Sequence, residues 1–188
     1  MLGFLTGLLL GAGHAVSGPD HLAAVAPLAT GGRAWRVGLS WGAGHAGGVV
    51  VVALALALLG TALELETLGR VGEQIVGISL IGVGAWMLLR RPRRASASTH
   101  AAAPAAAVGL VHGVAGGSHL YAALPAVALA DGLAYLGGFA LGAVLTMGVF
   151  AGVLGRVVIA LGPERRRPLE RALAGLTLLV GVVWLALG

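Results

Sequence analysis

Apolar residues run through this chain in blocks longer than a soluble core helix needs, and polar residues gather between the blocks. A helix crosses the hydrocarbon core of a bilayer with roughly 20 apolar residues. Six such segments can be drawn: about Leu2 to Leu28, Trp35 to Leu63, Val71 to Leu89, Ala105 to Ala130, Tyr135 to Leu161 and Leu169 to Leu187. Gly18-Pro19 interrupts the first, because proline breaks a helix interior but suits the first turn of a new one. The pattern predicts an all-α integral membrane protein with six transmembrane helices.

Charge then orients the segments. The 12 basic residues are all arginine. Arg33 and Arg36 follow the first segment, and Arg90, Arg91, Arg93 and Arg94 follow the third. Arg156, Arg165, Arg166, Arg167 and Arg171 follow or end the fifth. The opposite side holds only Arg70. By the positive-inside rule the arginine-rich side is cytoplasmic. The chain is thus expected as a multi-pass protein of the cell (inner) membrane, with both termini outside and the loops after helices 1, 3 and 5 cytoplasmic. Glu64, Glu66 and Glu73 fall on the arginine-poor side, as a solvated loop or an acidic vestibule.

The chain also repeats itself. His14, His21, Leu22, Ala24 and Pro27 match His112, His119, Leu120, Ala122 and Pro125 at an offset of 98, as do Gly77 and Trp86 with Gly175 and Trp184. Gly38, Gly42 and Gly48 match Gly138, Gly142 and Gly148 at an offset of 100. Each copy holds three helices, an odd number, so the second copy enters the membrane inverted. The expected units are a first three-helix repeat at 1–90, a cytoplasmic basic linker at 91–104 and a second three-helix repeat at 105–188. The first helix of each repeat is expected to break near its histidine motif. Trp86 and Trp184 read as interfacial anchors, and Asp131 as a loop residue or helix cap.

Composition narrows the class. Only 10% of residues are charged and 58% are hydrophobic, against about a quarter charged in soluble domains. The pI near 11.3 is therefore no sign of a nucleic-acid partner. Cysteine is absent, which removes thiolate metal sites and disulfides. The first segment lacks a basic n-region and a cleavage motif and reads as a retained helix. Gly3-Gly7-Gly11, Gly38-Gly42 and Gly138-Gly142 are small-residue stripes. They pack helices within one bundle or leave room for a homo-oligomer.

The chemistry lies in His14-Ala-Val-Ser-Gly-Pro-Asp-His21 and its near-copy His112-Gly-Val-Ala-Gly-Gly-Ser-His119. Ionisable groups at membrane depth are costly and mark functional sites. Imidazole and carboxylate together suit a borderline divalent cation. The expected metal ligands are His14, Asp20 and His21, joined by His45 of Gly-His-Ala-Gly-Gly and by His112 and His119. Ser17 and Ser118 stand as secondary candidates. His112 and His119 either complete the site or serve a gate or proton relay. The competing readings are a buried His–Asp pair that pins helices and a packed core histidine at His45. His100, in the linker, reads as solvated.

His14, Asp20 and His21, with Gly44-His45-Ala46 in the next helix, resemble the nickel/cobalt transporter family, and in particular its short branch of urease-accessory-like nickel permeases. The resemblance implies uptake of a divalent transition metal, Ni²⁺ first and Co²⁺ second, as transported substrate rather than cofactor. Alternating access of two inverted units about the His/Asp site is the expected mechanism, and no enzyme activity is expected. Three alternatives stay open: a proton-coupled metal exporter, a small-anion carrier on a related fold, and a non-transporting accessory subunit for metalloenzyme assembly. The expected partners are the metal ion and the lipid bilayer.

Overall fold

The computed structural model describes residues 1–59, 65–89, 102–115, 123–126, 128 and 130–187. The helices with established bounds are α1 Leu2–Ser17, α2 Pro19–Val25, α3 Ala34–Leu59, α4 Leu65–Leu89, α5 Ala102–Ala115, α6 Gly132–Ala160 and α7 Gly162–Leu187, and residues 123–126 are helical as well. No strand occurs among the described residues. Within α3, α4, α6 and α7 lie four stretches long and apolar enough to cross a membrane. Their outer faces carry exposed Val51, Leu58, Ile78, Val149 and Leu179, among others. This apolar exterior marks a membrane-associated all-α protein.

The first of the six expected spans is divided: α1 has 16 residues, about 24 Å of helix against a hydrocarbon core of about 30 Å. The first span divides at Gly18, whose backbone is extended (φ −82°, ψ 103°). Pro19 has no N–H to continue the ladder and disfavours helical geometry in the residue before it. It then occupies the first position of α2. The fourth span, drawn from Ala105 to Ala130, is helical over Ala102–Ala115, and residues 116–122 lie outside the described set.

The basic stretch after the fifth span differs too. α6 passes into α7 through Leu161 and Gly162, and Gly162 takes φ 76°. That left-handed conformation suits glycine, so the reversal needs almost no loop. Arg165, Arg166 and Arg167 therefore stand on the first turns of α7 rather than in a loop. Likewise α4 begins at Leu65, which places Arg70 on a helix.

Glycine decides which helices touch. α1 packs on α6, α5 on α3, α3 on α6, and α4 on α7. A Cβ at Gly7 or Gly11 would run into the carbonyl oxygen of Tyr135 or Phe139. One at Gly109 or Gly113 would meet the carbonyl of Trp41 or His45. Backbone-to-backbone approach of this kind gives membrane helices their van der Waals contact. The Gly3-Gly7-Gly11 and Gly138-Gly142 stripes are thus covered within the chain. α2 is an internal piece whose Asp20, His21, Ala23, Ala24 and Val25 are buried. It is tied to α7 where the Thr177 hydroxyl lies 2.7 Å from the Ala23 carbonyl oxygen. At the N-terminal end of α1, the Gly3 N–H donates to the Asp131 carboxylate at 2.9 Å. Asp131 thereby fastens α1 to the start of α6, and its charge opposes the positive end of the α1 dipole.

Candidate metal centre

Three helices deliver three imidazoles to one point in the bundle. His14 ends α1, His21 lies in the first turns of α2, and His45 lies midway along α3. The break at Gly18 sets the first two. The Gly18 N–H bonds the His14 carbonyl at 3.2 Å, and the chain restarts as α2 with the His21 N–H on the Gly18 carbonyl at 3.1 Å. That fold-back turns the His21 ring onto the Gly18 backbone, where a Cβ would overlap its Nδ1. His45 is set by the close approach of α3 to α5, its carbonyl lying over Gly113.

The ring geometry suits a shared ion. The His14 and His21 centroids lie 4.8 Å apart, His21 and His45 4.8 Å, and His14 and His45 5.5 Å. Imidazoles around one tetrahedral ion, with nitrogens about 2.1 Å from it, have ring centres roughly 5 Å apart. One ligand nitrogen from each ring lies within 4.8 Å of the others. A point equidistant from three nitrogens at that outer limit is about 2.8 Å from each, so closure on an ion draws each ligand in by at most about 0.7 Å. His21 and His45 are fully buried, and His14 is partly buried.

Two further groups border the cluster. Asp20 is buried, with its Oδ2 3.6 Å from His21 Nε2. That distance is too long for a hydrogen bond, yet it places a carboxylate where a dication would need compensation. His112, from α5, is fully buried, with its centroid 6.5 Å from His21. Its Nδ1 is 2.9 Å from the Val108 carbonyl oxygen. When Nδ1 is the protonated nitrogen and donates there, the lone pair sits on Nε2. Such a carbonyl contact is what commonly orients a metal-binding imidazole. Ser17 is exposed and its hydroxyl donates to the His14 carbonyl at 3.2 Å. His119, Ser118, His100, Glu64 and residues 91–101 of the joining stretch lie outside the described residues.

Trp41 is a component that the sequence reading missed. It is fully buried and stacks on His45 at 4.9 Å with the planes 10° apart. It also borders His21 at 5.3 Å and His112 at 5.8 Å. The signal was its spacing: Trp41 lies four residues before His45, hence on the same helix face. On the far side His14 meets Phe139 at 5.5 Å. The cluster is therefore walled by aromatic rings, and His14 Nε2 and both ring nitrogens of His21 and of His45 are buried.

No protein-family profile and no solved structure matches the chain. Two curated relatives do. The chain is 46% identical over 83 residues to chloroplast protein FOR GROWTH AND FERTILITY 1 of Arabidopsis thaliana, covering 43% of this chain and 23% of that protein. It is 41% identical over 83 residues to chloroplast protein FOR GROWTH AND FERTILITY 2 of the same plant, covering 43% and 22%. The match thus spans less than a quarter of the length of these relatives.

These relatives correct the functional expectation. A divalent-metal permease importing Ni²⁺ or Co²⁺ is not what they are named for; both are chloroplast proteins named for growth and fertility. The His–Asp spacing that carried the resemblance describes a set of donor atoms, and donor atoms do not by themselves specify transport.

Proposed function

We propose that this chain is a multi-spanning membrane protein that holds a divalent transition-metal ion inside its helix bundle on His14, His21 and His45. The observation that carries the reading is the convergence of three imidazoles from three helices, with ligand atoms within 4.8 Å of one another. Three nitrogen donors and a nearby carboxylate favour the borderline ions that imidazole prefers. The ion would be held rather than passed, as a resident centre. The His112 ring, 6.5 Å from that of His21, and the Asp20 carboxylate border the three imidazoles, and the carboxylate would offset part of the charge. We read the segment shared with the two plant proteins as a membrane-embedded module within longer chains.

We further infer that residues 1–90 and 105–188 are inverted three-helix units joined by 91–104, with the short α1–α2 and α5 segments completing six crossings. What supports this is a pairwise exchange of contacts. Gly11 lies over the Phe139 carbonyl as Gly109 lies over that of Trp41, and Gly142 over Leu8 as Gly44 over Ala106. Each pair is related by the offset of 98, which carries the register through α3 and α6, where the glycines alone align at 100. In this frame Ala143 stands where the first unit has His45, so the two halves are unequal at the site. The arginine-rich end is then cytoplasmic by the positive-inside rule.

The test is metal stoichiometry. Purified protein equilibrated with Zn²⁺ and passed through a desalting column is expected to retain one ion per chain. His45→Ala, correctly folded, is expected to retain none. Equal retention by both would reject the site.

A further inference from the structure

Seven of the arginines gather at one end of the bundle, on surfaces that come from three helices. The turn before α3 lies on the end of α6: a Cβ at Gly155 would touch Ala34 and the Gly31 carbonyl, one at Gly152 would touch Trp35 at 3.3 Å, and one at Gly32 would touch Ile159 at 3.8 Å. Arg33 and Arg36 are thereby brought to the level of Arg156, and the Gly162 reversal adds Arg165, Arg166, Arg167 and Arg171. The only acids among the described residues at this end are Glu164 and Glu170, and Glu170 is engaged by Arg166 at 2.8 Å. Arg33, Arg36 and Arg156 are exposed.

What these arginines adjoin is apolar and also exposed. Trp35 is 45% exposed, Val157 49% and Ile159 50%. The Arg36 guanidinium lies over the Trp35 ring, 5.1 Å from its centroid. A cationic rim on an exposed apolar wall, with a tryptophan at the boundary, complements an amphipathic anion: phosphate on the guanidinium groups, hydrocarbon on the wall. Guanidinium pairs with phosphate oxygens in bidentate fashion, and basic residues beside a membrane helix attract acidic headgroups.

We propose that Arg33, Arg36 and Arg156, beside Trp35 and Ile159, form a binding site for the phosphodiester headgroup of an anionic phospholipid. This site is separate from the imidazole cluster and does not depend on it. Free phosphate shares the headgroup chemistry but leaves the apolar wall uncovered.

The experiment is native mass spectrometry of the detergent-purified protein with equimolar phosphatidylglycerol and phosphatidylcholine. The parent is expected to retain phosphatidylglycerol selectively, and inorganic phosphate at millimolar concentration to leave it in place. Each neutralised arginine is expected to lower retention about fivefold, and the triple Arg33→Gln, Arg36→Gln, Arg156→Gln variant about a hundredfold. The matching triple lysine variant should keep most of it. If the glutamine triple does not fold, Arg156→Gln alone supplies the fivefold comparison. Equal retention of the two lipids by the parent would overturn the proposal, as would unchanged retention in the glutamine variants. Displacement by inorganic phosphate would assign the site to free phosphate and overturn the lipid.

Discussion

Adding one methyl group at Gly18 tests the site without touching a ligand. The backbone there, φ −82° and ψ 103°, is open to any residue, so alanine introduces no conformational strain. What it meets is the His21 ring. The new Cβ would overlap Nδ1 and lie 2.8 Å from both Cε1 and Cγ. Ordinary carbon contacts need about 3.5 Å or more, so the ring must retreat by roughly 1 Å. In a loaded site metal–nitrogen distances hold to within about 0.2 Å of their standard values, so His21 would have to reach that distance against the new methyl group. Disturbing an orienting neighbour typically costs 10–100-fold in metal affinity. We therefore expect Gly18→Ala to weaken Zn²⁺ binding by about 100-fold, or roughly 2.8 kcal/mol. The assay is a competitive titration against a chromophoric chelator in detergent, with circular dichroism and gel filtration reporting the fold. Gly13→Ala is the control: on α1 beside His14, a Cβ there meets nothing within 4 Å beyond its own stretch of helix backbone, and its affinity should match the parent. Parent-like affinity in folded Gly18→Ala would refute the placement of His21 as a ligand.

Further consequences can be checked on the same preparation. Imidazole binds metal only when neutral, and its ordinary pKa is about 6.5. Zn²⁺ affinity should therefore be lost in acid, by pH 3.5, and regained on return to pH 7.5, and binding undiminished at pH 3.5 would exclude imidazole ligation. Thr177→Val removes the hydroxyl that ties α2 to α7 through Ala23. It should lower thermal stability by about 1 kcal/mol, with Thr177→Ser close to the parent. Asp131→Asn should weaken the hold on the Gly3 N–H by about 0.3–1 kcal/mol, a loss that high salt reduces. An unchanged melting temperature in either case would mean the contact contributes nothing to stability.

How much of this was legible beforehand depended on the kind of signal. The Gly18-Pro19 break was legible because proline lacks a donor whatever surrounds it. So were the long apolar α3, α6 and α7, since length and hydropathy are one-dimensional properties. The ends of elements were less so. The arginines after Ala160 look like a loop, although Gly162 reverses the chain within a residue or two and leaves them helical. The candidate ligands were visible as costly residues in an apolar run, but the set that converges was not. His45 joins His14 and His21 because α3 lies against small residues of α5 and α6, a three-dimensional fact. Trp41 escaped because an apolar ring in an apolar run carries no signal until the helices pack and stack it on His45. The transport expectation failed for another reason: the spacing of donor atoms resembled a family, while the relatives at 46% and 41% identity carry different names.

X-ray absorption at the zinc edge of the stoichiometrically loaded protein tests the central claim most directly. The account predicts a first shell of nitrogen and oxygen near 2.0–2.1 Å. The outer-shell scattering of imidazole rings should fit three histidines in the parent and fewer in His21→Ala. A shell without imidazole scattering, or a spectrum indifferent to the loss of His21, would contradict it.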